Sequence, residues 1–130
     1  MNPKEAYEYA LKNGPDENTR KIACQDPSYT YKYALNTDKE SREDTRKTAC
    51  KDSFIAYLYA LEVDKCSRED TRRIACENSF CAYIYARDID KGPHEDTREA
   101  VCQDPEYAYK YAKDIGKCLM DSMRRAACKD

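Results

Sequence analysis

The chain has no tryptophan, two phenylalanines, three glycines and one histidine, and Leu, Ile, Val and Phe together supply only 15 of its 130 residues. Each scarcity removes a class of function. Three scattered glycines cannot build the Gly-rich loop whose bare backbone cradles phosphates, and no G-x-S-x-G elbow occurs. A single histidine, His94, with no C-x-x-C pair, supplies neither a Cys/His zinc site nor a Cys–His catalytic couple. No apolar run approaches the ~18 residues of a membrane span, and the mean hydropathy is −1.02. The opening "MNPKEAYEYA" has no apolar core of a secretory signal. Charge of one sign is missing too: 37% of residues are charged, yet the formal net charge is −2, so no bulk basic footprint for nucleic acid exists. These absences predict a cytoplasmic protein with no membrane segment, no cofactor, no metal and no enzymatic activity.

What replaces the aliphatic bulk is 12 tyrosines, 8 cysteines and many alanines at fixed spacing. "EDTRKTACKDSFIAYLYALEVDK" from Glu43 returns from Glu69 as "EDTRRIACENSFCAYIYARDIDK" and from Glu95 as "EDTREAVCQDPEYAYKYAKDIGK". Thr-Arg stands at Thr19-Arg20, Thr45-Arg46, Thr71-Arg72 and Thr97-Arg98, with Met123-Arg124 in a fifth copy. Tyr-x-Tyr-Ala begins at Tyr7, Tyr31, Tyr57, Tyr83 and Tyr109, every step being 26 residues except the first, which is 24. Cys24, Cys50, Cys76, Cys102 and Cys128 follow the same period, while Cys66, Cys81 and Cys118 stand outside it. Without an export signal the cysteines read as reduced, small, buried apolar residues.

Each period holds two short helices. Asp26-Pro27, Asp52-Ser53, Asn78-Ser79 and Asp104-Pro105 mark one start, and Asn2-Pro3 repeats the signal. The cap side chain accepts from free helical N–H groups, and Pro at the first position loses no hydrogen bond. The partner helix starts near Glu43-Asp44, Glu69-Asp70 and Glu95-Asp96, where acids favour the positive end of the helix dipole. We call the Thr-Arg helix first-type and the Tyr-x-Tyr helix second-type. At ~100° per residue, Ala56, Ala60 and Val63 form one stripe, with Tyr57 and Tyr59 astride it. Residue 58 and its equivalents Glu8, Lys32, Ile84 and Lys110 point away. Neither helix can bury its small-residue face alone, so the units must stack.

The expectation is an all-α solenoid, one domain over 1–130. Its two-helix units lie near 16–41, 42–67, 68–93 and 94–119, with terminal helices at 3–12 and 120–130. The acid-plus-Arg start (Asp44, Arg46), the Ala-Cys pair (Ala49, Cys50) and the Tyr-Ala seam (Tyr59, Ala60) resemble the short two-helix repeats found as uncharacterised arrays in bacterial, protist and viral proteins. That resemblance implies the fold and a scaffold role, and it brings no catalytic residues.

The candidate sites come from the repeated positions. Arg46 falls between Ala49 and Cys50 on the constant face, where a charge needs a partner or costs several kcal/mol. Arg20, Arg46, Arg72, Arg98 and Arg124 therefore form a ladder. It pairs with loop carbonyls or with acids such as Asp38, Asp64 and Asp90 over a Tyr ring, or it lines a groove for phosphates or an acidic peptide. Leu58, Ile84 and Ile55 are expected to form an outward apolar contact patch. A protein partner is the first reading. A nucleic-acid or phosphorylated ligand, held by the ladder and the Tyr-x-Tyr rings, is the alternative. The lone second-type helix at the start and a lone first-type helix near Asp121–Cys128 also predict head-to-tail self-association.

Overall fold

The computed structural model describes residues 1–115, and over that span the chain is all-α. Helix α1 (Pro3–Asn13) is second-type and is followed by first-type α2 (Glu17–Ala23). Three units then alternate second-type helices α3 (Pro27–Tyr33), α5 (Ser53–Leu58) and α7 (Ser79–Tyr85) with first-type α4 (Glu43–Ala49), α6 (Glu69–Ala75) and α8 (Glu95–Val101). Helix α9 (Pro105–Asp114) is the last of the second type among the described residues. The expected terminal helix at 120–130, and Arg124 with it, lies outside them.

The starts are capped as the sequence predicts. Asn2 and Glu5 form a reciprocal capping box, Asn2 Oδ1 accepting the Glu5 N–H at 2.8 Å and Glu5 Oε1 accepting the Asn2 N–H at 2.9 Å. Asp26, Asp52, Asn78 and Asp104 each accept from N–H groups of the first turn of α3, α5, α7 and α9. The helix ends differ from a plain α-helical expectation. α3, α5 and α7 each widen into a π-helical turn, Ala34–Asp38, Tyr59–Asp64 and Ala86–Asp90. Each turn stops at a lysine in the left-handed region, Lys39, Lys65 or Lys91, with φ of 55°, 57° and 55°. A non-glycine residue there carries steric strain, so three periodic instances show that the surrounding contacts hold the turn in place.

Packing follows nearest neighbours. Each second-type helix lies against the first-type helix that follows it and against the second-type helices of adjacent units. The seam is alanine: Ala10, Ala23, Ala34, Ala49, Ala56, Ala60, Ala75, Ala82 and Ala86 are buried. Such small contacts let the backbones approach closely, and the tyrosines then supply the buried bulk. Tyr33, Tyr59, Tyr85 and Tyr111, the second tyrosines of their motifs, are wholly buried. This is a chain that builds its core from alanine methyls and phenol rings, which accounts for its small aliphatic content.

The three apolar residues expected on the outer face pack inward, Ile55 lying half-buried against the cluster of Ala34, Ala49 and Tyr59. Ile84 is only 4% exposed and belongs to the central core cluster, and Leu58 packs half-buried against the same cluster. The helical wheel of one helix places residue 84 away from its seam. Helix α7, however, touches α5, α6, α8 and α9, so nearly its whole circumference is covered.

Among the described residues one buried side-chain polar atom is unsatisfied. The Thr37 hydroxyl is buried with no hydrogen-bond partner, and the equivalent positions hold Val63, Ile89 and Ile115. Thr37→Val keeps the shape and removes the desolvated hydroxyl, so it is expected to stabilise the fold by about 1 kcal/mol. Urea unfolding followed by circular dichroism would read this as a raised midpoint at unchanged slope.

Candidate functional site

Three of the ladder arginines are spent inside the protein. Arg20 sends Nε and Nη2 to the two oxygens of Asp38 at 2.9 and 2.6 Å. Arg46 does the same to Asp64 at 3.2 and 2.7 Å, and Arg72 to Asp90 at 3.1 and 2.9 Å. The aspartates are the last residues of the π-turns, eighteen residues after their arginines. Their side chains are 2%, 3% and 9% exposed, those of the arginines 11%, 14% and 13%, so these are buried, fork-on-fork ion pairs. Ser41 and Ser67 hydroxyls bridge arginine and aspartate in the second and third rungs. Each guanidinium lies over a buried ring, at 5.7 Å from Tyr33, 5.9 Å from Tyr59 and 5.8 Å from Tyr85. Hydrogen bonds to the aspartates raise the arginine pKa values further, against the opposing pull of burial.

The ring under each arginine is itself tied down. The Tyr33, Tyr59, Tyr85 and Tyr111 hydroxyls meet Thr19, Thr45, Thr71 and Thr97 at 2.7, 2.7, 2.8 and 2.9 Å. Each hydroxyl also accepts the N–H of the residue that precedes the first-type helix, namely Asp16, Arg42, Arg68 or His94, at 3.0 to 3.1 Å. His94 thus serves as the N-cap of α8, its Nδ1 accepting the Asp96 N–H at 3.1 Å. Arg98 stands in the fourth rung, half-buried, with no ion pair among the described residues.

The first tyrosine of each motif does different work, reaching into the next unit. Tyr31 donates to Glu62, Tyr57 to Asp88 at 2.5 Å and Tyr83 to Asp114 at 2.6 Å. Burial, reinforced by the carboxylate partner, pushes the Tyr57 phenol up to about 12. These rings continue into an exposed aromatic row on the second-type helices. Phe54 is 45% exposed and Phe80 42%, at equivalent positions one period apart, and Tyr109 is 60% exposed. Phe54 packs on Tyr57 at 5.9 Å, and Phe80 on Tyr107 at 5.6 Å. Lys32, Arg87 and Lys110 sit over the faces of Tyr29, Tyr83 and Tyr107 at 4.9, 5.4 and 5.3 Å. An open cleft lined by Phe80, Tyr83, Tyr107, Tyr109, Arg87 and Lys110 lies at this end of the row.

Of the residues singled out from sequence, then, Arg20, Arg46 and Arg72 occupy one internal stack, Arg98 holds the equivalent position of the next unit, Ile84 lies in the core and Leu58 packs half-buried against it. Sequence reasoning missed Phe54 and Phe80 as surface residues. A signal was present, because both follow the cap-plus-serine start directly, at a position where the other units carry Ser28 and Glu106. A position that tolerates serine and glutamate faces water.

The periodic cysteines are half-buried rather than fully so: Cys24, Cys50 and Cys76 close the C-termini of α2, α4 and α6. Burial pushes the Cys50 thiol up to about 11 and the Cys76 thiol up to about 12, with Asp70 and Asp96 adding to the effect. Cys66 is exposed and Cys81 is buried. Because the thiolate is the reactive species, maleimide at neutral pH is expected to label Cys66 first. Cys24, Cys50 and Cys76 should lag by at least about tenfold in rate, and Cys81 should wait for unfolding. Peptide mapping after timed labelling would check the order. Cys118 and Cys128 lie outside the described residues.

Among the described residues no cluster of His, Cys, Asp and Glu could hold a metal ion, and no helix is long and apolar enough to cross a membrane. Comparison of the chain with protein-family models, curated proteins and solved structures found no match in any of the three.

Proposed function

We propose that this chain is a non-enzymatic, cytoplasmic scaffold of the two-helix repeat kind, which docks a protein partner along the aromatic row of its second-type helices. The observation that supports this reading most directly is the pair Phe54 and Phe80, equivalent in the repeat and left 45% and 42% exposed although they are fully apolar rings with no hydroxyl to solvate. Large rings beside polar groups are the usual anchors of protein interfaces. The ladder arginines argue against phosphate as the ligand, since three of them are already saturated by aspartates.

A single-stranded nucleic acid is the second reading, supported by the cations over Tyr29, Tyr83 and Tyr107. Those cations cover the ring faces a base would stack on, and Glu62, Asp88 and Asp114 run along the same row to repel phosphates. The protein reading is the better supported of the two.

The test is affinity capture from a lysate of the native host with three proteins: wild type, Phe54→Ser/Phe80→Ser, and the first-type-face control Lys47→Ala/Arg73→Ala. Serine already occupies position 28, so the ring variant should fold. Two lost anchors should lower recovery of the captured proteins at least about tenfold, with the control unchanged. A captured set indifferent to the ring variant, or one made of nucleic acid that salt releases steeply, would overturn the proposal.

A further inference from the structure

Four guanidinium groups of this chain are held in one way, over a tyrosine ring and against an aspartate. Three are the buried rungs of Arg20, Arg46 and Arg72. The fourth stands on the aromatic row itself: Arg87 sends Nε and Nη2 to Asp88 at 2.7 and 2.9 Å and lies 5.4 Å from the Tyr83 ring. Beside Phe54 and Phe80 the rings and the carboxylate recur without the arginine. Both rings are exposed, and the cations of the row lie over Tyr29, Tyr83 and Tyr107 instead. Each ring is braced, Phe54 by Tyr57 and Phe80 by Tyr107, so little rotamer freedom remains to be lost on binding.

The carboxylate is that of Asp52. Its Oδ1 accepts the N–H groups of Phe54 and Ile55 at 2.9 and 3.0 Å, which holds it at the foot of the first ring. Burial first, and then the charge of Asp52, push up the thiol of Cys81, the residue that follows Phe80. Asp52 thus lies close to both ring-bearing turns. Its second oxygen makes no hydrogen bond or ion pair among the described residues. The surrounding charge has the same sign: residues 51–54 and 77–80 carry Asp52 and Glu77 against Lys51, and 53–64 contain no cation.

We propose that this part of the row receives an arginine side chain of the protein partner, its guanidinium against the Phe54 and Phe80 rings and an N–H on the free oxygen of Asp52. The inference rests on the docking face proposed above and names the chemistry that the face selects. A purely apolar segment would cover Asp52 without pairing it, which costs free energy. An acidic or phosphorylated one would meet Asp52 and Glu77. Lysine fits less well than arginine, because a compact ammonium cannot lie flat on a ring while its fork reaches a carboxylate.

The test follows the backbone amide signals of Phe54 and Phe80 by nitrogen-15 NMR of the full-length chain. The probe is the blocked peptide Gly-Ser-Arg-Gly-Ser-Arg-Gly-Ser, whose arginines lie about 10 Å apart when extended, the spacing of packed helices. A second peptide carries citrulline, planar but neutral, in place of both arginines. Expected is a saturable shift with the arginine peptide and at least about tenfold weaker binding of the citrulline one. Asp52→Asn should weaken the arginine peptide at least about threefold. The fold should survive that change, since Asn78 caps α7 at the equivalent position. Phe54→Ser/Phe80→Ser should weaken it about tenfold, and Glu43→Gln on α4 should leave it unchanged. The inference is overturned if citrulline binds as tightly, if the ring variant binds normally, or if Asp52→Asn and Glu43→Gln act alike. No response to the arginine peptide, with lysate capture still lost in the ring variant, overturns the arginine and leaves the docking face standing. Capture indifferent to the ring variant overturns the docking face itself, whatever the peptide does.

Discussion

Arg72→Ala is expected to destabilise the fold by about 3 kcal/mol, while Arg98→Ala should cost less than about 1 kcal/mol. The two residues occupy the same position of adjacent units, so the difference isolates the partner rather than the helix. Removing Arg72 leaves Asp90, 9% exposed, without its counter-charge, and strips the cation from the Tyr85 face. Breaking a buried pair from one side typically costs ~3–5 kcal/mol. The low end applies here because the Ser67 hydroxyl still donates to Asp90. At Arg98 no ion pair is lost among the described residues, and the half-buried charge itself is relieved. Chemical denaturation of the two variants side by side would measure the gap. A companion variant, Arg72→Met/Asp90→Leu, should recover most of the loss, since replacing both buried charges removes both desolvation costs. An Arg72→Ala protein as stable as wild type would mean that the rungs contribute nothing to folding. The saturated ladder could then no longer be held against a phosphate ligand.

Much of this architecture is legible in the sequence because its determinants are local or periodic. The caps at Asn2, Asp26, Asp52, Asn78 and Asp104 act within one turn of their helices, and a 26-residue period names the equivalent positions directly. The ladder was readable for a different reason. A charge on a packed face demands a counter-charge, and aspartates recur at a constant interval from the arginines. The π-turns were not readable, since the residues of Ala34–Asp38 are compatible with an ordinary α-helical turn. What widens them is tertiary, namely the anchoring of the terminal aspartate by an arginine on another helix. The burial of Ile84 escaped for the same kind of reason: a wheel drawn for one helix omits the four neighbours that surround α7. Phe54 and Phe80 show the converse. Large apolar residues beside a helix start suggest core, and only the serine and glutamate at the equivalent positions reveal a surface site.

Tyr85→Phe should cost about 2 kcal/mol although it deletes a single oxygen, whereas Tyr9→Phe should fall within about 0.5 kcal/mol of wild type. The Tyr85 hydroxyl accepts the Arg68 N–H at 3.0 Å, meets Thr71 at 2.8 Å and donates to the Arg68 carbonyl at 3.1 Å. All of this lies in a site closed to water, since Tyr85 and Thr71 are wholly buried. Phenylalanine fills the same ring volume, so packing is kept and the loss is polar. The Arg68 N–H is left without an acceptor, and Thr71 keeps only its long bond to the Arg68 carbonyl at 3.3 Å. Orphaning a buried donor costs ~1–3 kcal/mol, more than an average hydrogen bond contributes net. Tyr9 is the equivalent residue of α1, but it is 48% exposed and water can replace its protein partners. The bond lost in Tyr85→Phe fastens the residue before α6 to the last residue of α7, so its effect should be local as well as global. Hydrogen exchange of the Arg68 amide should speed up by more than the global stability change accounts for, because that N–H gains access to exchange without unfolding of the array. A double-mutant cycle with Thr71→Val should give a coupling energy of about 1 kcal/mol, and additivity of the two changes would contradict the assignment of this hydroxyl as the knot between consecutive helices.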